Sequence, residues 1–212
     1  RNWFFGSYLP HVYRRRAKRP VDETAVFLQY RGASEREDFA PLRQAFSNVL
    51  PGVSCKTVLL SRNISGGLRY LRRCRDAIRE VSCARILVTA EDMPAVSALV
   101  LRRATGHLRL PARVYPLREF GRATLSYTGG YKLPFDHAPY ENVALGPAPA
   151  TCFVPLFSIA YGKEAPPLGS PLFDLLRSES YREASRAKLL ELFPQAEGKR
   201  VILYAPSSRR DK

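Results

Sequence analysis

Six short runs rich in β-branched and apolar residues punctuate the chain, at positions 24–30, 55–61, 84–90, 112–117, 142–146 and 200–205. No other feature narrows the fold as much, because the stretches between several of them carry helical periodicity instead. Phe39, Leu42, Phe46 and Val49 recur at three- and four-residue steps on one face. Leu68, Leu71, Ile78 and Val81 do the same, while Arg69, Arg72, Arg73, Arg75 and Arg79 fall largely on other faces. A third helix is predicted from Asp92, a suitable N-cap with Pro94 in the first turn, to about position 104. A fourth spans about 150–161 and a fifth about 171–193. Near-continuous apolar strands alternating with helices predict a Rossmann-like α/β fold: a parallel sheet with helices on both faces.

The chain carries 34 Lys and Arg against 19 Asp and Glu, a formal charge of +15. Such a surface favours polyanions: nucleic acid, anionic headgroups, or phosphate-rich polymers and sugar nucleotides. An Arg-rich composition spread over solvated faces accounts for the same number equally well. The arginine-rich helix around 68–79 matches no DNA- or RNA-binding signature, so nucleic acid is not expected as a partner. Cys55, Cys74, Cys83 and Cys152 show no paired spacing, which argues against a zinc site or a redox motif and for a reducing, cytoplasmic setting. No metal is expected. No apolar run approaches the roughly 18–20 residues that span a bilayer.

Residues 1–20 read as a separate basic and aromatic arm, followed by a main domain at 21–197 and the first strand of a further domain at 198–212. In the arm, Trp3, Phe4, Phe5, Tyr8 and Tyr13 precede Arg14, Arg15, Arg16, Lys18 and Arg19 with no acid among them. Trp3 and Phe4 with the five cations suit an anionic membrane surface. The alternative is an arm whose aromatics cover part of the core.

Parallel sheets bind ligands beyond the carboxyl ends of their strands. The last run leads into Ser207, Ser208, Arg209 and Arg210, hydroxyls and guanidinium groups suited to phosphate oxygens, although an ordinary polar turn reads the same way. His11, His107 and His137 are the only histidines. His137 is the one candidate for a direct catalytic role, and otherwise the catalytic group is unassigned. The glycine pairs at 66–67 and 129–130 are weak turn signals. The 118–141 stretch, rich in Gly, Pro and Tyr, is long enough for a functional loop.

Four segments together resemble the CDP-glycerol glycerophosphotransferases that build teichoic-acid-type polymers. Lys199-Arg-Val-Ile-Leu-Tyr-Ala-Pro-Ser-Ser-Arg209 is similar to that family's Lys-Lys-Val-Ile-Leu-Tyr-Ala-Pro-Thr-aromatic-Arg segment. Gly169-Ser-Pro-Leu-Phe-Asp174, followed by a long helix, resembles its Gly-x-Pro-Arg-x-Asp. Glu119-Phe-Gly-Arg-Ala-Thr124 and His137-Ala-Pro-Tyr-Glu-Asn-Val143 are weaker echoes of a Lys-Phe-Gly-x-x-Thr run and a His-x-x-Tyr-x-x-Val run.

The resemblance implies the N-terminal half of a GT-B architecture, two Rossmann-like domains facing a cleft. It implies transfer of glycerol phosphate, or a related polyol or sugar phosphate, from a CDP-activated donor to a lipid-linked cell-wall or capsule polymer. It also implies phosphate or substrate contacts at Ser207, Ser208, Arg209, Arg210, Gly169 and Asp174. No cofactor is implied; the donor CDP-glycerol is expected to bind mainly to a C-terminal domain. The setting is cytoplasmic, with peripheral attachment to the inner face of the membrane. Two departures stand against full activity. Ala112 falls where the family's Trp-His-Gly loop places its proposed catalytic His, with His107 five residues earlier, and Leu172 replaces the Arg of Gly-x-Pro-Arg. The alternative reading is therefore a diverged, non-catalytic binding module for an anionic polymer or a membrane surface.

Overall fold

The computed structural model describes residues 2–30, 34–60, 67–91, 93–111, 121–124 and 142–204. The chain divides into two compact units, Arg1–Leu172 and Phe173–Lys212. In the first, β1 (Asp22–Gln29), β2 (Ser54–Leu59), β3 (Ala84–Thr89) and β4 (Gly106–Arg109) form one sheet in the order β2-β1-β3-β4. Every pairing is parallel. Val26 lies between Lys56 of β2 and Leu87 of β3. The Leu145 segment makes a single parallel bridge to Leu108, beside β4. The run expected as a strand at 142–146 is thus present at the sheet margin, as one bridge.

Helices cover both faces, as the alternation predicts. On one face, α2 (Phe39–Val49) lays Phe39, Leu42 and Phe46 over Ala25, Phe27 and Val88. Phe27 meets the rings of Phe39 and Phe46 edge-on at 5.3 and 5.8 Å. On the other face, α3 (Gly67–Cys83) buries Cys74, Ala77, Ile78 and Val81 against Val26, Leu28 and Leu87. A short α4 (Pro94–Ser97) joins the same layer. These side chains would each forfeit roughly 1.5–3 kcal/mol of transfer free energy if exposed. After β4, α5 (Val154–Tyr161) ends at Gly162, whose φ of 67° supplies the left-handed turn that stops a helix.

The N-terminal segment is a helix rather than a loose arm. A π-helical turn at Phe4–Tyr8 runs into α1 (Leu9–Arg16). Phe5, Leu9 and Tyr13 are fully buried in the core shared with α3, which settles the open question of where its aromatics go. The Arg102 guanidinium donates to the carbonyls of Ala17 and Arg19, at 3.0 and 2.8 Å, satisfying acceptors just past the end of α1.

Three expectations need correction. The third helix stops at Ser97 instead of about 104, because the Arg102 amide donates to the Tyr13 hydroxyl at 3.0 Å rather than to a helical carbonyl. The single helix expected at 171–193 is two, α6 (Pro171–Arg177) and α7 (Glu179–Leu192), broken where Ser178 adopts ψ 125°. Residues 200–204 form no strand, and Ile202, Leu203 and Tyr204 are exposed. Among the described residues of their unit there are only helices and turns, and a strand exists only as a paired ladder. The run expected at 112–117 lies outside the described residues.

If the N-terminal helix is part of the core, Leu9→Ala should lower stability by about 2–5 kcal/mol. Urea unfolding measures this. A change under half a kilocalorie would mean that the helix folds apart from the sheet.

Candidate functional site

Strand order fixes where a ligand site belongs. From β1 the chain steps to β2 on one side, then returns past β1 to place β3 on the other. The topological switch point therefore lies at the carboxyl ends of β1 and β3. There Gln29, buried at the end of β1, organises the loop that follows. Its side-chain amide donates to the Ser34 carbonyl at 3.0 Å, and its Oε1 accepts from the Arg36 amide at 2.9 Å. Arg36 then grips buried Asp38 with two bonds, Nε to Oδ1 at 2.8 Å and Nη2 to Oδ2 at 2.7 Å. That pairing outweighs burial and holds the Arg36 pKa above its usual value. Thr57 of β2 donates to Glu35 at 2.8 Å, tying the loop to the neighbouring strand. Both Asp38 oxygens are occupied by a guanidinium, so this carboxylate shapes the loop and is not placed to accept a substrate proton.

His107 sits on β4, facing inward with Arg109. Its Nε2 lies 2.8 Å from the Thr89 hydroxyl of β3, and its Nδ1 is buried without a hydrogen-bond partner. Burial first, then the nearby Arg109 and Lys163 cations, push its pKa down to about 3. The imidazole is neutral across the physiological range and shut away from solvent.

The motif glycines have local causes. Gly121, in the Phe-Gly-Arg run, is buried at φ 60°, a conformation that costs a side-chain-bearing residue strain. The next residue, Arg122, spreads over Gly162, where a Cβ would come within 2.4 Å of the guanidinium. Gly169 has φ 84°, and its amide donates to the Ala148 carbonyl at 3.3 Å. Asp174 is exposed in the first turn of α6, on the favourable side of the helix dipole. Leu172 is half-buried at the start of the same helix.

Ser207, Ser208, Arg209, Arg210, His137 and Ala112 lie outside the described residues. The membrane-surface set is separated by the fold. Trp3 is 70% exposed and Phe4 packs on the core margin, both at the end of the helical run near the carboxyl edge. Arg14, Arg15, Lys18 and Arg19 are exposed, and Arg16 half-buried, at the opposite end, next to the start of β1. Among the described residues no group of three His, Cys, Asp or Glu side chains is arranged to hold a metal, and no helix is long and apolar enough to cross a membrane. Sequence reasoning missed the Gln29–Arg36–Asp38 loop and the buried Thr89–His107 pair. The only signal for the first was a polar Gln closing an otherwise apolar strand.

A four-stranded parallel sheet with helices on both faces defines a Rossmann-like α/β domain. The family model for CDP-glycerol:poly(glycerophosphate) glycerophosphotransferase matches residues 11–212, and the chain belongs to that family. It is therefore of the glycerophosphotransferase type. No curated protein matches the sequence.

The buried His107 carries a pH signature. Its folded pKa lies below the ordinary value near 6.5, so as pH falls the unfolded chain binds the proton first and stability declines. Between pH 7 and pH 5 the wild type should lose about 2 kcal/mol more than a His107→Gln variant. Urea unfolding at the two values tests this, and equal losses would show that the imidazole titrates normally.

Proposed function

We propose that the chain forms the acceptor-side half of a GT-B transferase. It would move glycerol phosphate, or a related polyol or sugar phosphate, from a CDP-activated donor to a lipid-linked cell-wall or capsule polymer. One observation carries this reading: the family match spans a Rossmann-like domain in which part-buried hydrogen bonds tie Gln29, Arg36 and Asp38 together at the switch point. In the reaction the acceptor hydroxyl forms a new bond to the glycerol-bearing phosphorus. The phosphoanhydride bond breaks, CMP leaves, and the hydroxyl proton passes to a base. Charge developing on the phosphoryl oxygens calls for donors such as Ser207, Ser208, Arg209 and Arg210, and the family resemblance adds Gly169 and Asp174 to the substrate-contact set. His137 is the remaining candidate base. The donor itself would bind mainly to a second Rossmann-like domain, and no separate cofactor is needed. Because the acceptor is lipid-linked, the protein would work in the cytoplasm, peripherally on the inner membrane face.

A second reading has its own support. Ala112 stands at the family's catalytic His position and the nearest alternative, His107, is buried. Both favour a diverged module that binds an anionic polymer or a membrane without turning it over.

CMP release by the intact protein, given CDP-glycerol and a lipid-linked acceptor, separates the two. We expect release, and a drop of at least about tenfold in Arg209→Ala, where one charge-assisted phosphate contact is lost. No release above background, with binding of the acceptor retained, would establish the second reading.

A further inference from the structure

The start of α3 bears a cluster of charge that the fold does not use. From Gly67 to Arg75 the sequence holds four arginines and no acid. Arg69, Arg72 and Arg73 are exposed, and none forms an ion pair with a described residue. Arg75 and Arg79, one turn further on, do pair, both with Asp76. Cations in the first turns of a helix oppose its dipole. These three side chains therefore do not stabilise α3, and on an open face they are free to meet a partner.

Topology gives the cluster its place. α3 follows β2, so its first turns sit at the carboxyl edge of the sheet. Tyr70 confirms this, with its ring 6.2 Å from that of Tyr30, the residue after β1. The N-terminal helical run comes to the same edge. Phe5 lies 6.3 Å from Tyr70, whereas Tyr13, at the other end, bonds to Arg102 just before β4. Trp3 is held out from this corner, 70% exposed, by stacking on Tyr8 at 5.7 Å. Leu68 stands beside the arginines at 74% exposure. Phe5, Leu9 and Tyr13 are buried against the core, so the helix cannot turn its apolar face into a bilayer. At this corner exposed apolar side chains and unpaired cations stand together.

We propose that Trp3, Leu68, Arg69, Arg72 and Arg73 form a contact for an anionic lipid surface, holding the carboxyl edge of the sheet against the membrane. Arginines meet headgroup phosphates while a tryptophan and a leucine enter the interfacial layer. A soluble polyanion would satisfy the charges but leaves the two exposed apolar residues without a role. Arg14, Arg15, Lys18 and Arg19, about 20 Å along the helix at the other edge, are not part of the contact. The inference deepens the proposed reading, since it explains how a lipid-linked acceptor reaches the ligand-binding edge.

The test is sedimentation of the intact protein with vesicles containing phosphatidylglycerol, against pure phosphatidylcholine vesicles. Binding should require the anionic lipid and weaken with salt. The triple variant Arg69→Glu, Arg72→Glu, Arg73→Glu should bind on the order of a hundredfold more weakly. Acids in these positions suit the helix dipole, so the variant should fold, which circular dichroism checks. Trp3 is the one tryptophan among these 212 residues. Its emission, isolated by subtracting a Trp3→Phe spectrum, should shift to the blue on binding. Equal binding by wild type and triple variant overturns the proposal. So does binding to soluble poly(glycerophosphate) that matches vesicle binding with no Trp3 shift. CMP release from CDP-glycerol with a detergent-solubilised acceptor keeps the two readings apart. Activity there without vesicle binding sinks only the membrane contact, and vesicle binding without activity sinks only the transferase.

Discussion

Everything in the first unit is arranged around one strand whose last five residues have no access to water. β1 is paired on both edges, by β2 and β3, and from Ala25 to Gln29 it is buried on both faces. A strand in that position cannot alternate apolar with polar residues. Its Ala-Val-Phe-Leu core must be covered by helices above and below. α2 covers Ala25 and Phe27, and α3 with the N-terminal helix covers Val26 and Leu28. Removing either layer would expose half of the central strand. The polar end of β1, Gln29, is tolerated because both its amide groups are bonded into the next loop.

The same constraint separates the two edges of the sheet. At the amino edge the chain is held by structural contacts: Arg102 at the end of α1, Thr105 donating to the Ala84 carbonyl, and Arg85 paired with Glu23. At the carboxyl edge the Arg36–Asp38 pair and the Thr57–Glu35 bond fix a loop rather than a secondary-structure end. Loops held rigidly at a switch point are what a Rossmann-like domain offers a ligand. The described residues thus supply scaffold, while the hydroxyls and cations that resemble the family's phosphate contacts lie elsewhere in the sequence.

Much of this was legible beforehand, for reasons that also explain the gaps. β1, β2, β3, α2 and α3 match the expected runs to within about two residues because their apolar side chains pack on the two cores in an unbroken strand or helical pattern. β4 was missed because its inward face carries His107 and Arg109, and its partly buried positions carry Gly106 and Leu108. Its hydrophobic pattern is therefore inverted, and only tertiary bonds such as Thr89–His107 make a buried strand of it. The overlong third helix and the single long fifth one failed because side-chain periodicity continues past the points where the backbone turns, at Ala98 with ψ 4° and at Ser178 with ψ 125°. Past the first of these turns the chain is held by tertiary bonds, among them the Arg102 amide to the Tyr13 hydroxyl. Periodicity sees side-chain spacing and is blind to a hydrogen bond made 89 residues away in sequence. The N-terminal segment was legible in composition only. Its aromatics were noted, yet their sorting into buried Phe5 and Tyr13 and exposed Trp3 depends on the α3 surface they meet.

The excess of basic residues becomes interpretable once the fold assigns them. Arg102 satisfies carbonyls past the end of a helix, Arg36 neutralises a buried carboxylate, and Lys56 pairs with Glu80 beside an edge strand. Each of those cations has a structural use that an uncharged side chain would not meet. Arg69, Arg72 and Arg73 have none, and they occupy the helix end where positive charge is least favourable. Net charge alone could not distinguish these groups, which is why +15 read equally well as composition or as function. Position relative to helix ends and to acids makes the distinction, and it sets the arginines at the start of α3 apart from the cations that the fold uses.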